Sequence, residues 1–234
     1  MRKLVLASLL ATTALAVPKA HAVLQLALDV QGAVFTCADG QACDTNGATG
    51  IIQVNNQSIN GVAINGSIQS ADLTARILNT SSLSIINHSG ASRTLDFAVS
   101  ATDFVGPAVS FATASAATFQ TANGSTLNVA FYDDPNNTQG ANTPTNAPGD
   151  LIDSASHNVV GAADSFSHNN SGSLANPDTG AFSMTETVTA LLVNGGQIIN
   201  RGQTEIKDVT EPASLAMLGM GMLGLGMIRS RRRS

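Results

Sequence analysis

"LQLALDV", residues 24–30, decides the fold. Leu24, Leu26 and Leu28 alternate with Gln25, Ala27 and Asp29, and a period of two puts the leucines on one face of an extended strand rather than on one side of a helix. Similar though less regular runs follow in "GIIQV" (50–54), "GVAING" (61–66), "TLDFAVSATDF" (94–104), "STLNVAFYD" (125–133) and "SMTETVTALLV" (183–193). They are set between turns rich in Asn, Gly, Ser and Asp. Many short strands separated in this way predict an all-β protein, an antiparallel β-sandwich of the jelly-roll or immunoglobulin-like kind. "SADLTARILNT" (70–80) is ambiguous: Leu73, Ile77 and Leu78 have helical spacing while Leu73, Ala75 and Ile77 alternate, and strand is the expected state. "DDPNNTQGANTPTNAPGD" (133–150), with three prolines, reads as a surface loop.

Both ends depart from this pattern. "MRKLVLASLLATTALAVPKAHA" begins with Arg2 and Lys3, continues through an apolar run from Leu4 to Val17, and ends in Ala20-His21-Ala22. That is the three-part layout of a secretory signal peptide over residues 1–22, cut between Ala22 and Val23 by signal peptidase. At the other end an apolar run from Ala213 to Ile228 falls just short of the roughly 17–25 residues of a spanning helix. Arg229, Arg231, Arg232 and Arg233 follow it, able to snorkel to headgroups and to hold that end in the cytoplasm. Gly219, Gly221, Gly224 and Gly226 each weaken a helix by about 1 kcal/mol relative to alanine, which suits a temporary anchor in the inner membrane. Glu211 and Pro212 stand immediately before the run, and the proline breaks any helix continuing back into the preceding domain.

These last residues, 211–234, resemble the PEP-CTERM sorting signal of Gram-negative bacteria, with Thr210-Glu211-Pro212 in place of Pro-Glu-Pro. The resemblance implies cleavage near Glu211 and Pro212 by an exosortase, a membrane cysteine protease, and passage of the body to the cell surface, the medium or an exopolysaccharide matrix. Glu211 and Pro212 are then substrate residues. A single hydrophobic transmembrane helix is expected over the apolar run.

The intervening segment, 23–210, is expected to form one extracytoplasmic domain. It carries four basic residues, Arg76, Arg93, Arg201 and Lys207, against fifteen acidic ones, a net charge of −11. Such a body argues against nucleic acid and anionic lipid as partners. Cys37 and Cys43, beyond a signal peptide, predict a disulfide closing a short loop. His88, His157 and His168 show no metal or triad spacing and read as polar loop residues. No nucleophile motif and no cofactor motif is present, so catalysis is not expected. Asp133 and Asp134, with Asn136 and the returning Asp150 and Asp153, are calcium candidates because calcium takes oxygen ligands. Asp-Asp-Pro-Asn-Asn is equally the composition of an ordinary turn, which is the expected reading. The sequence therefore favours an exported structural or interaction protein, with a calcium-dependent or carbohydrate-binding adhesion module as the alternative and an extracellular hydrolase third. The absence of Trp and the single Tyr132 count against an aromatic sugar platform.

Overall fold

The computed structural model describes residues 23–208. Thirteen strands are present among them: β1 (Gln25–Val30), β2 (Ala33–Ala38), β3 (Ile51–Val54), β4 (Gln57–Ile59), β5 (Val62–Asp72), β6 (Ile77–Asn87), β7 (Arg93–Val105), β8 (Ala108–Gln120), β9 (Thr126–Asp134), β10 (Asp150–Asn158), β11 (Ala163–Asp178), β12 (Ala181–Leu192) and β13 (Gln197–Lys207). One sheet has the order β10-β9-β12-β7-β1-β2 and the other β11-β8-β13-β6-β5-β3, with β4 paired to β5. All pairings are antiparallel.

The last eight strands are nested. β6 pairs with β13, β7 with β12, β8 with β11 and β9 with β10, as in one long hairpin rolled up so that successive pairs alternate between the sheets. Lateral pairing of β8 with β13 and β9 with β12 closes the roll. This is a jelly roll, so of the two sandwich types expected from sequence the immunoglobulin-like one is set aside.

The alternation in β1 does what it implies. Leu28 pairs with Phe97, Phe97 with Val188 and Val188 with Val129, giving a row of buried side chains across four strands on the face turned to the second sheet. Leu26, Val99, Glu186 and Phe131 form the next row of the same face, so a carboxylic acid stands where apolar residues flank it on every strand.

One expectation is corrected and another is narrowed. The segment 70–80 is neither a helix nor one strand: β5 ends at Asp72, the chain turns over residues 73–76, and β6 begins at Ile77. Asp72 Oδ1 accepts hydrogen bonds from the amides of Thr74 and Ala75 (both 2.9 Å), and Arg76 takes a positive φ, which fixes the corner. The surface loop expected over residues 133–150 is present but shorter, and it is pinned to the body. Asp133 and Asp134 end β9, Asp150 starts β10, and the middle, with a 3₁₀ turn at Gly140–Asn142, straps the outer face of the first sheet. Gly140 N–H donates to Ser100 Oγ (3.0 Å), Ser183 Oγ donates to the Thr138 carbonyl (2.6 Å), and Asn137 bonds both backbone and side chain of Asp103. A Cβ on Gly140 would lie 2.0 Å from Thr185 Oγ1, so only glycine permits this contact. The strap explains why β7 and β12 are buried on both faces.

A candidate binding groove

The second sheet keeps its outer face open. Its central strands present small side chains there, because Ala114 and Ala116 of β8 alternate with the buried Thr113, Ser115 and Ala117. Across the ladders, Asn79, Gln203, Ala114 and Asn169 form one row, and Arg201, Ala116 and Ser167 the next. Between β6 and β13 the register shifts at Asn200/Gly202, so Ser81 and Ser82 together oppose Arg201 and the sheet bends. The result is a groove of about 420 Å³ with a small-residue floor, amide and hydroxyl walls and one guanidinium. A second depression of about 490 Å³ along β3, β5 and β6 shares Asn79 with it, so the open face is elongated.

Arg201 is distinctive electrostatically. Among the described residues, Arg76 pairs with Asp208, Lys207 with Glu205 (3.1 Å), and Arg93 donates to Gln31, whereas the exposed Arg201 is held by no neighbour. The groove lining contains no acid, in a body where acids outnumber bases almost four to one.

Beneath the floor lies Glu186 of β12. Thr80 Oγ1 donates to its Oε2 (3.2 Å) and Asn200 Nδ2 approaches its Oε1 (3.5 Å), while Ser115 Oγ in turn donates to Asn200 Oδ1 (3.4 Å). Burial pushes the Glu186 carboxyl up to about 7, outweighing the two hydrogen bonds that favour its charge. A Cβ at residue 202 would lie 1.8 Å from Glu186 Oε1, so Gly202 makes the space for the acid to cross from one sheet into the other.

The residues singled out in the sequence fare unevenly. Cys37 and Cys43 form a disulfide with Cα atoms 5.9 Å apart, at the point where the chain leaves β2 for β3 in the other sheet. His157 and His168 stand on β10 and β11, not in loops, on the facing edges of the two sheets. His157 bonds Asp164 (2.9 Å) and stacks on Phe119, with ring centroids 5.4 Å apart. His168 Nε2, Asn170 Nδ2 (2.9 Å each) and Thr113 Oγ1 converge on Asp153. Burial alone would raise the Asp153 carboxyl, but these three partners hold it below the usual carboxylate range. Asp134 is a turn-former: its carboxylate accepts from the amides of Asn136 (3.0 Å) and Thr138 (3.1 Å). Asp133 takes no part in that turn and points into the space between the sheets, 2% exposed. Val23, half exposed, is tied by its carbonyl to Gln139 Nε2 (2.6 Å). Ala22, Glu211, Pro212, Arg229, Arg231, Arg232 and Arg233, and with them the expected C-terminal helix, lie outside the described residues. Among the described residues no helix is long and apolar enough to cross a membrane.

Sequence reasoning missed Arg201, Glu186 and Asp178. Glu186 had a visible signal, since in "SMTETVTALLV" it takes the core-facing place between Met184 and Val188. Arg201 sits in "INRGQ" and Asp178 in "NPDTG", which resemble turns, and only the strand pairing reveals their positions.

The fold and its open face define an all-β jelly-roll protein with a polar groove. The chain also carries a sorting signal: the PEP-CTERM protein-sorting motif matches residues 208–233. That motif implies export, membrane anchoring before processing, and an exosortase as the processing enzyme. No curated protein matches the chain. Among solved structures, it is similar to TmCBM61 in complex with β-1,4-galactotriose (10% identity over 59% of this chain and 87% of that one, TM-score 0.33). It is also similar to a structure of carbohydrate-binding modules from the β-sandwich superfamily (12% identity, 80% and 75%, TM-score 0.30). A third is from infectious bursal disease virus, Gx strain (12% identity, 77% and 35%, TM-score 0.33). Overlaps this loose carry no argument about function.

Proposed function

We propose that the chain is an exported cell-surface or matrix protein, released from a transient membrane anchor by an exosortase, whose jelly roll works by binding an extended polar polymer, an anionic polysaccharide, and not by catalysis. The groove over β6, β13, β8 and β11 carries this reading. Its amides and hydroxyls match the hydroxyls of a glycan chain, and its volume lies within the range of ligand sites. Arg201 supplies the one fixed positive charge, with a planar fork suited to a carboxylate or sulfate. An acidic body repels an anionic polymer at long range, so the contact is local and salt-sensitive.

The position of the motif supports the same reading. It begins at residue 208, directly after β13 ends at Lys207, so removal of the tail takes no strand from the sandwich.

Affinity electrophoresis of the exported protein tests the binding role. Migration should be retarded in gels containing a polyuronate but not in gels with neutral dextran, and Arg201→Ala should abolish the retardation. Equal migration in both gels, or retardation that survives Arg201→Ala, would refute the groove as the binding surface.

A further inference from the structure

We propose that the end of the jelly roll where β9, β10 and β11 converge is a calcium site, with Asp133 and Asp178 as its carboxylate ligands. This goes beyond the groove, which lies on another face. Asp133 is the inward residue at the end of β9, directly opposite Asp150 on β10 and Met184 on β12. Asp178 ends β11 in the other sheet, opposite the buried Ala108. Each of the two aspartates is only 2% exposed.

Their surroundings are what an acid pair should avoid. The two carboxyls lie within hydrogen-bonding reach of each other. No other residue donates to Asp133 Oδ1 or to either carboxylate oxygen of Asp178. Buried carboxylates are normally met by donors, as Asp153 is a short way along the same sheet edge, and an unmet one costs on the order of several hydrogen bonds' worth of lost solvation. Asp134 and Asp150 place further acidic groups close to the pair. Like charges opposed across a ladder, as Asp133 and Asp150 are, destabilise it unless something compensates.

The chain is shaped to make this approach. Gly149, at φ +89°, brings the returning strap against β9, where a Cβ would lie 2.3 Å from the Asp133 carbonyl oxygen. That places Asp150 opposite Asp133. Asn176 Nδ2 then donates to Asp150 Oδ2 (2.6 Å) and ties β11 to β10. A cavity of about 100 Å³ remains, lined by Asp133, Asp150, Ser173 and Asn176 with Phe111 and Leu174 behind.

Every polar group there is an oxygen or an amide, the donor class that calcium takes in sets of six to eight. Among the described residues no three His, Cys, Asp or Glu side chains group to hold a metal. In the proposed site the two buried carboxylates are the anionic ligands, and neutral oxygens would fill the remaining positions. Two carboxylates balance one divalent charge.

The test uses the exported protein after chelation, with calcium chloride or magnesium chloride added at equal ionic strength. A ligand at a hundred times its Kd should raise Tm by about 5 °C or more for a domain of this size. We expect that rise with calcium and not with magnesium, and a matching saturable calorimetric titration. Asp178→Asn should remove both. Asp29→Asn, which removes the same charge at the β1–β2 turn at the other end of the sheet, should leave both intact. If Asp178→Asn does not fold, Asp150→Asn at the cavity rim should weaken calcium affinity by roughly tenfold, since each 1.4 kcal/mol of lost attraction is a factor of ten. An equal response to both metals, no response in the parent, or a response that survives Asp178→Asn or is lost in Asp29→Asn overturns the assignment. A parent without calcium response whose Asp178→Asn variant is simply more stable would identify the pair as two carboxyls sharing a proton.

Discussion

Glu186 offers the sharpest test of the interior, because its environment fixes both the sign and the pH window of its effect. In the unfolded chain its carboxyl titrates at the ordinary value of 4.5, and in the folded protein at about 7. Below pH 4.5 both states hold the proton and ionisation adds no cost. Between 4.5 and 7 the unfolded chain ionises while the folded one does not, so stability falls as pH rises, and above 7 the loss is complete. At 1.36 kcal/mol per unit, the raised carboxyl costs about 3 kcal/mol above pH 7.

Glu186→Gln keeps the shape and cannot ionise. Its Oε1 can accept from Asn200, and its Nε2 can donate to Thr80 Oγ1, the reverse of the parent bond in which Thr80 donates. The variant should melt at about the parent's temperature near pH 4.5 and roughly 6–12 °C above it at pH 8. Thermal unfolding followed by circular dichroism at both pH values, with chelator present throughout, measures the difference. Taking variant minus parent at each pH cancels the titration of Asp133 and Asp178. A difference that does not change with pH, or a variant less stable than the parent at pH 8, would refute the account of Glu186 as a buried acid held neutral.

Gly202→Ala should cost about 3 kcal/mol or more by driving a methyl into the Glu186 carboxyl, and Glu186→Ala in the same chain should recover most of that loss in a double-mutant cycle of denaturant midpoints. Asp153 contributes stability above about pH 4 that is lost as pH falls through its depressed folded value; Asp153→Asn should remove that acid step and cost about 1–3 kcal/mol at pH 7 by turning an amide towards existing donors. Urea unfolding between pH 2.5 and 7 reads both effects, and an unchanged acid limb in the variant would sink this assignment. Mass spectrometry of surface-associated protein should find Val23 as the first residue and no arginine tail; intact Arg231–Arg233 in that fraction would contradict exosortase release.

The sheet faces were legible where hydrophobic size alternated. β1, β7, β9 and β12 announced themselves through Leu, Phe and Val at every second position, and all four lie side by side in the first sheet. β8 and β11 did not. "AVSFATASAATFQ" spreads its apolar character over small residues, and "ADSFSHNNSGSLANPD" is an edge strand with one exposed face and few contacts to bury, so neither needs a large alternating set. The groove was illegible for the same reason, since it consists of the outward residues of these strands and exists only once β6, β13, β8 and β11 are side by side. The acidic loop was half legible. Its local member, Asp134, behaves as turn chemistry predicts, but Asp133 meets Asp178 across 45 residues and two sheets, a contact that no local pattern encodes.

The end of the sandwich bears on how the tail can be removed. β13 is an interior strand, hydrogen-bonded to β6 on one side and β8 on the other, so it cannot be peeled from an edge. Its last turn of chain is fixed as well: the Ile206 amide donates to the Arg76 carbonyl (3.0 Å), and Arg76 pairs with Asp208 at the β5–β6 corner. From Asp208 to Glu211 there are three residue steps, which reach about 10 Å at full extension. Under the proposed processing, the protease meets its peptide with the folded body held that close. The corner at residues 72–76 and the Arg76–Asp208 pair are then the parts of the body nearest the cleaved peptide, and Arg201, midway along β13, lies farther from it. Binding through the groove is thus compatible with the chain before release as well as after it, and lengthening the 208–211 segment should alter cleavage without altering polysaccharide retention.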